Sequence, residues 1–241
     1  MRAPLIIAHR GASGHAPENT LGAFSRAVEL GAGFIETDLR LSRDLQFVAI
    51  HDGTLERTTN GRGAVSDCTL AELRQLDAGQ WFDRGYRGER IPELEEILAF
   101  GHKHDVVFYL EIKYDAAWGM HHALVAALRN AESAARTVVL SSDPATLVAL
   151  RRLDSSIMMG LLAEEGKPDF VKASLDAGAR QMCLRSTLVT PDLVQQAHQS
   201  DLHVIAWTVN SADEMRSMMT TGVDGIMTDF PDRLRAVIED M

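Results

Sequence analysis

The chain has 241 residues, of which 46% are hydrophobic and 24% charged, an ordinary globular composition that allows one α/β barrel or two small domains. Its formal net charge of −10 argues against general nucleic-acid binding, because the protein's field would repel a phosphate backbone and the sequence has no strong basic patch. An anionic substrate would therefore need local positive charge or a metal ion.

The start of the chain, MRAPLIIAHRG, contains an apolar run of only a few residues. Such a run is too short for the core of a signal peptide or for a membrane span. The two cysteines, Cys68 and Cys183, lie far apart and lack the spacing of a metal site, which predicts reduced structural thiols. The sequence thus predicts a cytoplasmic protein with no stable membrane anchor.

Short apolar runs alternate with amphipathic stretches along the chain, the pattern of repeated βα units around a parallel sheet. Helices are expected between most of the runs, for example at 20–31, 144–153, 191–200 and 212–222. An eight-stranded barrel is the natural closed form, so one run should be irregular or outside it, and the linker at 40–45 is too short for a crossover helix. Nine runs are predicted as strands: 4–8, 34–39, 46–50, 106–112, 137–141, 157–162, 180–184, 203–207 and 223–227.

Residues 53–91 interrupt this alternation. The segment is rich in Gly, Arg and Asp and has one short helical pattern, around Leu70 to Leu76. A structureless stretch of that length is unusual inside a compact domain. We therefore predict a single barrel domain over 1–241, with a small inserted subdomain or lid at 53–91.

Two predicted strands carry charged residues two positions apart, which places each pair on one side of its strand. The pairs are Glu36 with Asp38, and Glu111 with Lys113. Carboxylates that point together into a buried barrel are costly unless a cation or a proton compensates them. All-oxygen ligation suits Mg²⁺ or Ca²⁺. The alternative is an ordinary ion network with nearby arginines such as Arg40.

His9 and His51 each follow an apolar run, where the carboxyl rim of a barrel places its active site. A lone histidine at a strand end is more often structural, but two beside a carboxylate cluster suit a general acid and a general base. Arg10 and Lys113 would supply fixed positive charge for an anionic substrate.

Seven short motifs occur in a characteristic order. In order and spacing they resemble the glycerophosphodiester phosphodiesterase family, and the resemblance covers nearly the whole chain. The motifs are HRG with PENT (9–11 and 17–20), ETD (36–38), HD followed by LERTTNGRG (51–63), IPELEEIL (91–98), LEIK (110–113), AWTVN (206–210) and GVDGIMTDFPD (222–232).

The resemblance implies a distorted TIM barrel with a small insertion after the HD motif. It also implies divalent-cation-dependent hydrolysis of glycerophosphodiesters, such as glycerophosphocholine or glycerophosphoethanolamine, to glycerol 3-phosphate and an alcohol. By motif, Glu36, Asp38 and Glu111 would be the metal ligands, and His9 and His51 would be the acid and the base.

The remaining roles also follow from the resemblance. Arg10 and Lys113 would bind phosphate, and Trp207 would form an apolar wall for the glycerol or the alcohol. The PENT turn, with Glu18 and Asn19, would support the metal site and the catalytic histidine. Alternatively, Asn19 or its neighbour Thr20 would simply cap the helix that begins next.

Several alternatives stay open at this point. A histidine could deprotonate the glycerol 2-hydroxyl to give a cyclic phosphate, or a metal-bound water could attack directly. Which histidine is the acid, which metal is used, which alcohol is preferred and whether the protein is a homodimer are not fixed. A lysophospholipase D would need an apolar entrance or a membrane-binding segment, and a barrel that only binds phosphodiesters would not need the intact set of acid, base and carboxylates.

Overall fold

The structure, a computed structural model, describes residues 3–113, 119–163 and 169–240. The strands are β1 (Leu5–Ala8), β2 (Phe34–Leu41), β3 (Phe47–Ala49), β4 (Val107–Ile112), β5 (Thr137–Ser141), β6 (Met158–Ala163), β7 (Gln181–Arg185), β8 (His203–Trp207) and β9 (Gly225–Thr228). The helices are α1 (Leu21–Glu29), α2 (Leu70–Leu73), α3 (Leu94–His104), α4 (Met120–Asn130), α5 (Pro144–Leu153), α6 (Phe170–Asp176), α7 (Pro191–Gln199), α8 (Ala212–Thr221) and α9 (Pro231–Glu239).

All strands except β3 form a closed parallel barrel. They are hydrogen-bonded in the order β1-β9-β8-β7-β6-β5-β4-β2, and β1 pairs in parallel with both β9 and β2, which closes the sheet. Strands covered on both faces are mostly apolar, which is why these runs could be recognised in the sequence. The predicted α/β barrel is confirmed.

Of the nine predicted strands, the one at 46–50 lies outside the barrel. β3 pairs antiparallel with the end of β2, with Leu39 opposite Ala49. The turn between them is closed by a hydrogen bond from the Ser42 N–H to the carbonyl oxygen of Gln46 (2.9 Å). The chain therefore passes the barrel rim along β2 and returns to it along β3. His51 follows β3, so this hairpin, and not a barrel strand, brings it to the rim.

The barrel has one apolar layer inside and another between strands and helices. Several helices begin at a side-chain cap; for example, Thr20 Oγ1 accepts a hydrogen bond from the Ala23 N–H, and Ser211 caps α8. Burying each large apolar side chain contributes roughly 1.5–3 kcal/mol relative to leaving it exposed. The interior cluster includes Ile7, Tyr109, Val138, Leu140, Leu162, Cys183, Ile205 and Met227.

Residues 53–91 pack around a small apolar cluster that is continuous with β3. Leu55, Val65 and Leu73 are buried there against Val48 and Ile50. The short helix α2 begins at a capping box formed by Thr69 and Glu72. Because the segment packs on β3, it holds the strand that leads into His51.

None of the helices in the described parts of the chain has the length and hydropathy of a membrane span. Cys68 and Cys183 are both free thiols.

Candidate active site

Three carboxylates meet at the carboxyl ends of neighbouring strands β2 and β4. Glu36 and Asp38 share one side of β2, and the register places Asp38 opposite Glu111 on β4. One oxygen from each of the three lies within 4.8 Å of the others. Glu36 and Asp38 are almost fully buried, and Glu36 Oε1 has no hydrogen-bond partner.

Two cations, Arg10 and Lys113, lie beside this carboxylate cluster. The Lys113 ammonium lies 2.8 Å from Asp38 Oδ1 and also contacts Glu111 Oε1, and Arg10 Nε lies 3.1 Å from Asp38 Oδ2. When all three carboxylates are ionised, these two cations leave one negative charge uncompensated, at Glu36. The side-chain pairs predicted along β2 and β4 are therefore confirmed, and the cations beside Asp38 are Arg10 and Lys113.

Burial and this uneven charge shift the two β2 carboxyl groups in opposite directions. Burial, together with the negative charge of Asp38, raises the pKa of Glu36 to about 8. Burial alone would raise the pKa of Asp38 as well, but the Lys113 and Arg10 cations hold it below its ordinary value. A buried carboxylate oxygen without a partner, in an all-oxygen cluster with excess negative charge, fits a hard divalent cation such as Mg²⁺ or Ca²⁺.

The HRG turn after β1 turns its backbone toward the cluster. Arg10 has a left-handed backbone conformation (φ 56°), which is uncommon for a residue with a side chain. Its N–H donates to Glu36 Oε2 (2.9 Å). Gly11 follows at φ 80°, and a Cβ at Gly11 would lie 2.7 Å from Ala23, so a glycine is required here.

His9 is held by a carboxylate from the opposite end of the chain. Its Nδ1 lies 2.7 Å from Asp229 Oδ1, directly after β9, and Nε2 lies 4.0 Å from Glu36 Oε2. Because an ionised carboxylate only accepts, Nδ1 carries the hydrogen and Nε2 faces the cluster. Burial lowers the pKa of His9, but the hydrogen bond to Asp229 and the charge of Glu36 raise it more, so the net pKa lies above its ordinary value.

His51 has a similar carboxylate partner, the adjacent Asp52. His51 Nδ1 lies 2.7 Å from Asp52 Oδ1. Burial lowers the pKa of His51, and the cations Arg10 and Lys113 lower it further, which outweighs the opposite effect of Asp38 and Asp52. Arg40, the alternative partner for the β2 carboxylates, donates from Nε to the carbonyl oxygen of His51 (2.8 Å).

The PENT turn separates into a helix cap and a support for Asp38. Thr20 caps α1, whereas the Asn19 amide donates to Asp38 Oδ2 (2.8 Å). Asn19 Oδ1 accepts from Thr37 Oγ1 and from the Asp38 N–H (2.7 and 3.2 Å). Glu18 accepts from Arg10 Nη1 (2.9 Å). Asn19 therefore supports a carboxylate of the cluster, Glu18 supports Arg10 beside it, and helix capping belongs to Thr20.

Trp207 lies at the carboxyl end of β8, on the same rim. Its indole N–H donates to the carbonyl oxygen of Cys183 (3.0 Å), which fixes the ring plane. The guanidinium of Arg185, at the end of β7, lies 5.7 Å from the ring centroid.

Residues 9–233 match the model of the glycerophosphoryl diester phosphodiesterase family. The chain belongs to this family. A glycerophosphodiester phosphodiesterase from Caldanaerobacter subterraneus subsp. tengcongensis is 37% identical over 232 residues, which cover 95% of this chain and 96% of the relative.

Solved structures of the family have the same fold. A phosphodiesterase from Oleispira antarctica, in complex with the product sn-glycerol-3-phosphate, superposes with a TM-score of 0.89 at 28% identity and covers 98% of this chain and 97% of its own. A glycerophosphodiester phosphodiesterase from Agrobacterium tumefaciens superposes with a TM-score of 0.86, also at 28% identity, with 97% and 99% coverage.

The sequence did not reveal which residues hold the two histidines of this family member. Asp229 also accepts from Ser13 Oγ (2.9 Å) and from the Asn210 amide (2.7 Å), so it is itself fixed. Asp52 is bound by Arg57 Nε (2.6 Å). Asp52, Asn210 and Asp229 lie within the HD, AWTVN and TDFPD motifs, which was the available signal, but the motifs alone do not show the pairing.

Proposed function

We propose that this protein hydrolyses water-soluble glycerophosphodiesters, such as glycerophosphocholine or glycerophosphoethanolamine, to glycerol 3-phosphate and an alcohol. The observation that carries the proposal is the pair of His–Asp contacts, in which Asp229 and Asp52 bind Nδ1 of His9 and His51 and hold both rings beside one carboxylate cluster. Two imidazoles fixed in this way are suited to donate and accept protons on opposite sides of a phosphodiester.

Glu36, Asp38 and Glu111 would hold a divalent cation, Mg²⁺ or Ca²⁺. When bound, the cation supplies positive charge against the phosphodiester anion, which otherwise repels a nucleophile. The unpartnered Glu36 Oε1 and the excess negative charge beside it support this assignment.

The other site residues would bind the substrate or hold the residues that bind it. Arg10 and Lys113 would bind the phosphate oxygens, the guanidinium as a fork and the ammonium as a point charge. Glu18 would keep Arg10 in place, and Asn19 would orient Asp38. Trp207 would form the apolar wall of the glycerol or alcohol subsite.

The two histidines would divide the proton transfers. One accepts the proton of the attacking hydroxyl, either the glycerol 2-hydroxyl or a water, while the other donates a proton to the oxygen of the leaving alcohol as its bond to phosphorus breaks. The raised pKa of His9 favours the protonated acid, and the lowered pKa of His51 favours the neutral base. We assign His9 as the acid and His51 as the base on this ground.

Residues 53–91 form the small insertion that shapes the site beside His51. The free thiols of Cys68 and Cys183 suit a cytoplasmic location. The product complex of the Oleispira antarctica relative supports glycerol 3-phosphate as the product here.

The test is a panel of glycerophosphodiesters offered to chelator-treated protein with Mg²⁺ or Ca²⁺ restored. Glycerol 3-phosphate is measured by coupled oxidation with glycerol 3-phosphate dehydrogenase, and the free alcohol is measured separately. We expect both products in equal amounts from at least one member of the panel. Release of glycerol and a phosphorylated alcohol, or no product from folded protein with either metal, would contradict the proposal.

A further inference from the structure

We propose that Arg57, in the inserted segment, is a positioning residue that orients both His51 and Arg10. The inference rests on the proposed function and extends it to a residue with no assigned role. Arg57 binds two carboxylates at once: Nε and Nη2 lie 2.6 and 3.1 Å from the two oxygens of Asp52. Nη1 and Nη2 lie 2.7 and 2.8 Å from the two oxygens of Glu18.

Each of these carboxylates in turn holds one residue of the site. Asp52 accepts from His51 Nδ1 (2.7 Å), and Glu18 accepts from Arg10 Nη1 (2.9 Å). Arg57 thereby joins three separate parts of the chain: the turn after β1, the end of the β2–β3 hairpin and the insertion. Movement of one side chain in this network would displace the others.

The guanidinium geometry favours positioning over direct contact with substrate. A guanidinium has five N–H donors in one plane, and four are used by the contacts to Asp52 and Glu18. A phosphate would have to displace a bidentate carboxylate to gain the same contact. Arg10 and Lys113, which lie against the cluster itself, are better placed for phosphate.

The exposure of Arg57 indicates that its role is not mainly in stability. Its side chain is 44% exposed, so solvent screens its ion pairs with Asp52 and Glu18 and limits their contribution to folding. Loss of Arg57 leaves Asp52 without the partner that fixes it, so the His51 ring loses its orientation. The expected consequence is slower catalysis by a protein that remains folded.

The test compares Arg57→Ala and Arg57→Lys with wild type and with Arg62→Ala, a control at an exposed arginine of the same insertion. We expect Arg57→Ala to lower kcat about 10–100-fold, as removal of residues that orient metal-site ligands does, and to raise KM because Arg10 binds the phosphate, with the thermal midpoint little changed. Lysine cannot span both carboxylates, so Arg57→Lys should resemble the alanine variant. Millimolar guanidinium chloride, but not sodium chloride, should restore part of the activity of Arg57→Ala.

A second measurement does not depend on turnover. The ¹⁵N shifts of the His51 imidazole, at a pH where the ring is neutral, report which nitrogen carries the hydrogen. Wild type and Arg62→Ala should show the Nδ1–H form, and Arg57→Ala a mixture of both forms. If the His51 ring of Arg57→Ala shows only the Nδ1–H form, as in the wild type, the inference is overturned. A higher KM with unchanged kcat would also overturn it. Absence of turnover in the wild type would refute the proposed function instead, and the ring measurement would still decide this inference.

Discussion

His9 and Asp229, 220 positions apart in the chain, are joined by a 2.7 Å contact between Nδ1 and Oδ1. The contact exists because β1 and β9 are neighbours in the closed barrel, so the residues that follow them leave the rim side by side. It keeps His9 Nε2 toward the carboxylate cluster. The last turn of the chain before α9 is thus part of the candidate site.

Asp229→Asn should slow catalysis without unfolding the protein. The neutral amide no longer supplies the hydrogen bond and the negative charge by which Asp229 raises the pKa of His9, so less of the protonated acid is present. We expect kcat to fall about 10–100-fold, with KM little changed. Steady-state kinetics would check this, with circular dichroism as the folding control. Asp232→Asn is a matched control, because Asp232 is on α9 and contacts another histidine, His15. Wild-type kcat in Asp229→Asn would show that the contact has no catalytic role.

The assignment of His9 as acid can be tested with the leaving group. A p-nitrophenyl ester of glycerol 3-phosphate releases a phenolate that hardly needs a proton, whereas choline leaves as a basic alkoxide. His9→Ala should therefore lose far more activity on glycerophosphocholine than on the nitrophenyl ester. His51→Ala should lose activity on both, because the base is needed with either leaving group. The reverse pattern would exchange the two roles.

Metal affinity should depend on pH because a proton competes at Glu36. The raised pKa of Glu36 means that the metal-free protein carries this proton up to about pH 8, and a cation must displace it. Apparent affinity should fall as the pH is lowered from 8 toward 6, and binding should release a proton. Titration calorimetry in buffers of different ionisation enthalpy measures this release. Glu36→Gln should bind the cation more weakly and without proton release, and a pH-independent affinity in the wild type would contradict the account.

Asn19 should contribute to stability through both its side chain and its backbone. It is buried, has φ 58°, and its amide group makes three contacts around Asp38. Asn19→Gly removes the contacts alone and should cost about 1–3 kcal/mol. Asn19→Ala adds the left-handed backbone penalty, about 1–2 kcal/mol more. Urea denaturation of both variants separates the two parts, and equal stability of the glycine variant and wild type would show that the contacts contribute nothing.

Much of the barrel could be predicted because its strands are buried on both faces. The runs predicted at 137–141 and 203–207 coincide with β5 and β8. The sequence did not show which strand lies outside the barrel. β2 continues to Leu41, two residues beyond its apolar run, and only this extension lets β3 pair back onto it. A polar residue such as Arg40 gives no local sign that the strand continues.

The site was predictable where it depends on one strand and unpredictable where it depends on closure of the fold. The spacing of Glu36 and Asp38 determines that they share a side, whatever the rest of the chain does. The contact of His9 with Asp229 requires the first and last strands to meet. Arg57 lies in an exposed, arginine-rich segment, where a charged side chain usually indicates a solvated surface.

The most direct test of the account is release of glycerol 3-phosphate from glycerophosphocholine by chelator-treated wild type, His51→Ala and Glu36→Gln, each with and without Mg²⁺ or Ca²⁺. We expect turnover by the wild type only when the metal is restored, none from His51→Ala at any metal concentration, and a higher metal requirement in Glu36→Gln. Metal-independent turnover, or full activity in His51→Ala, would contradict it.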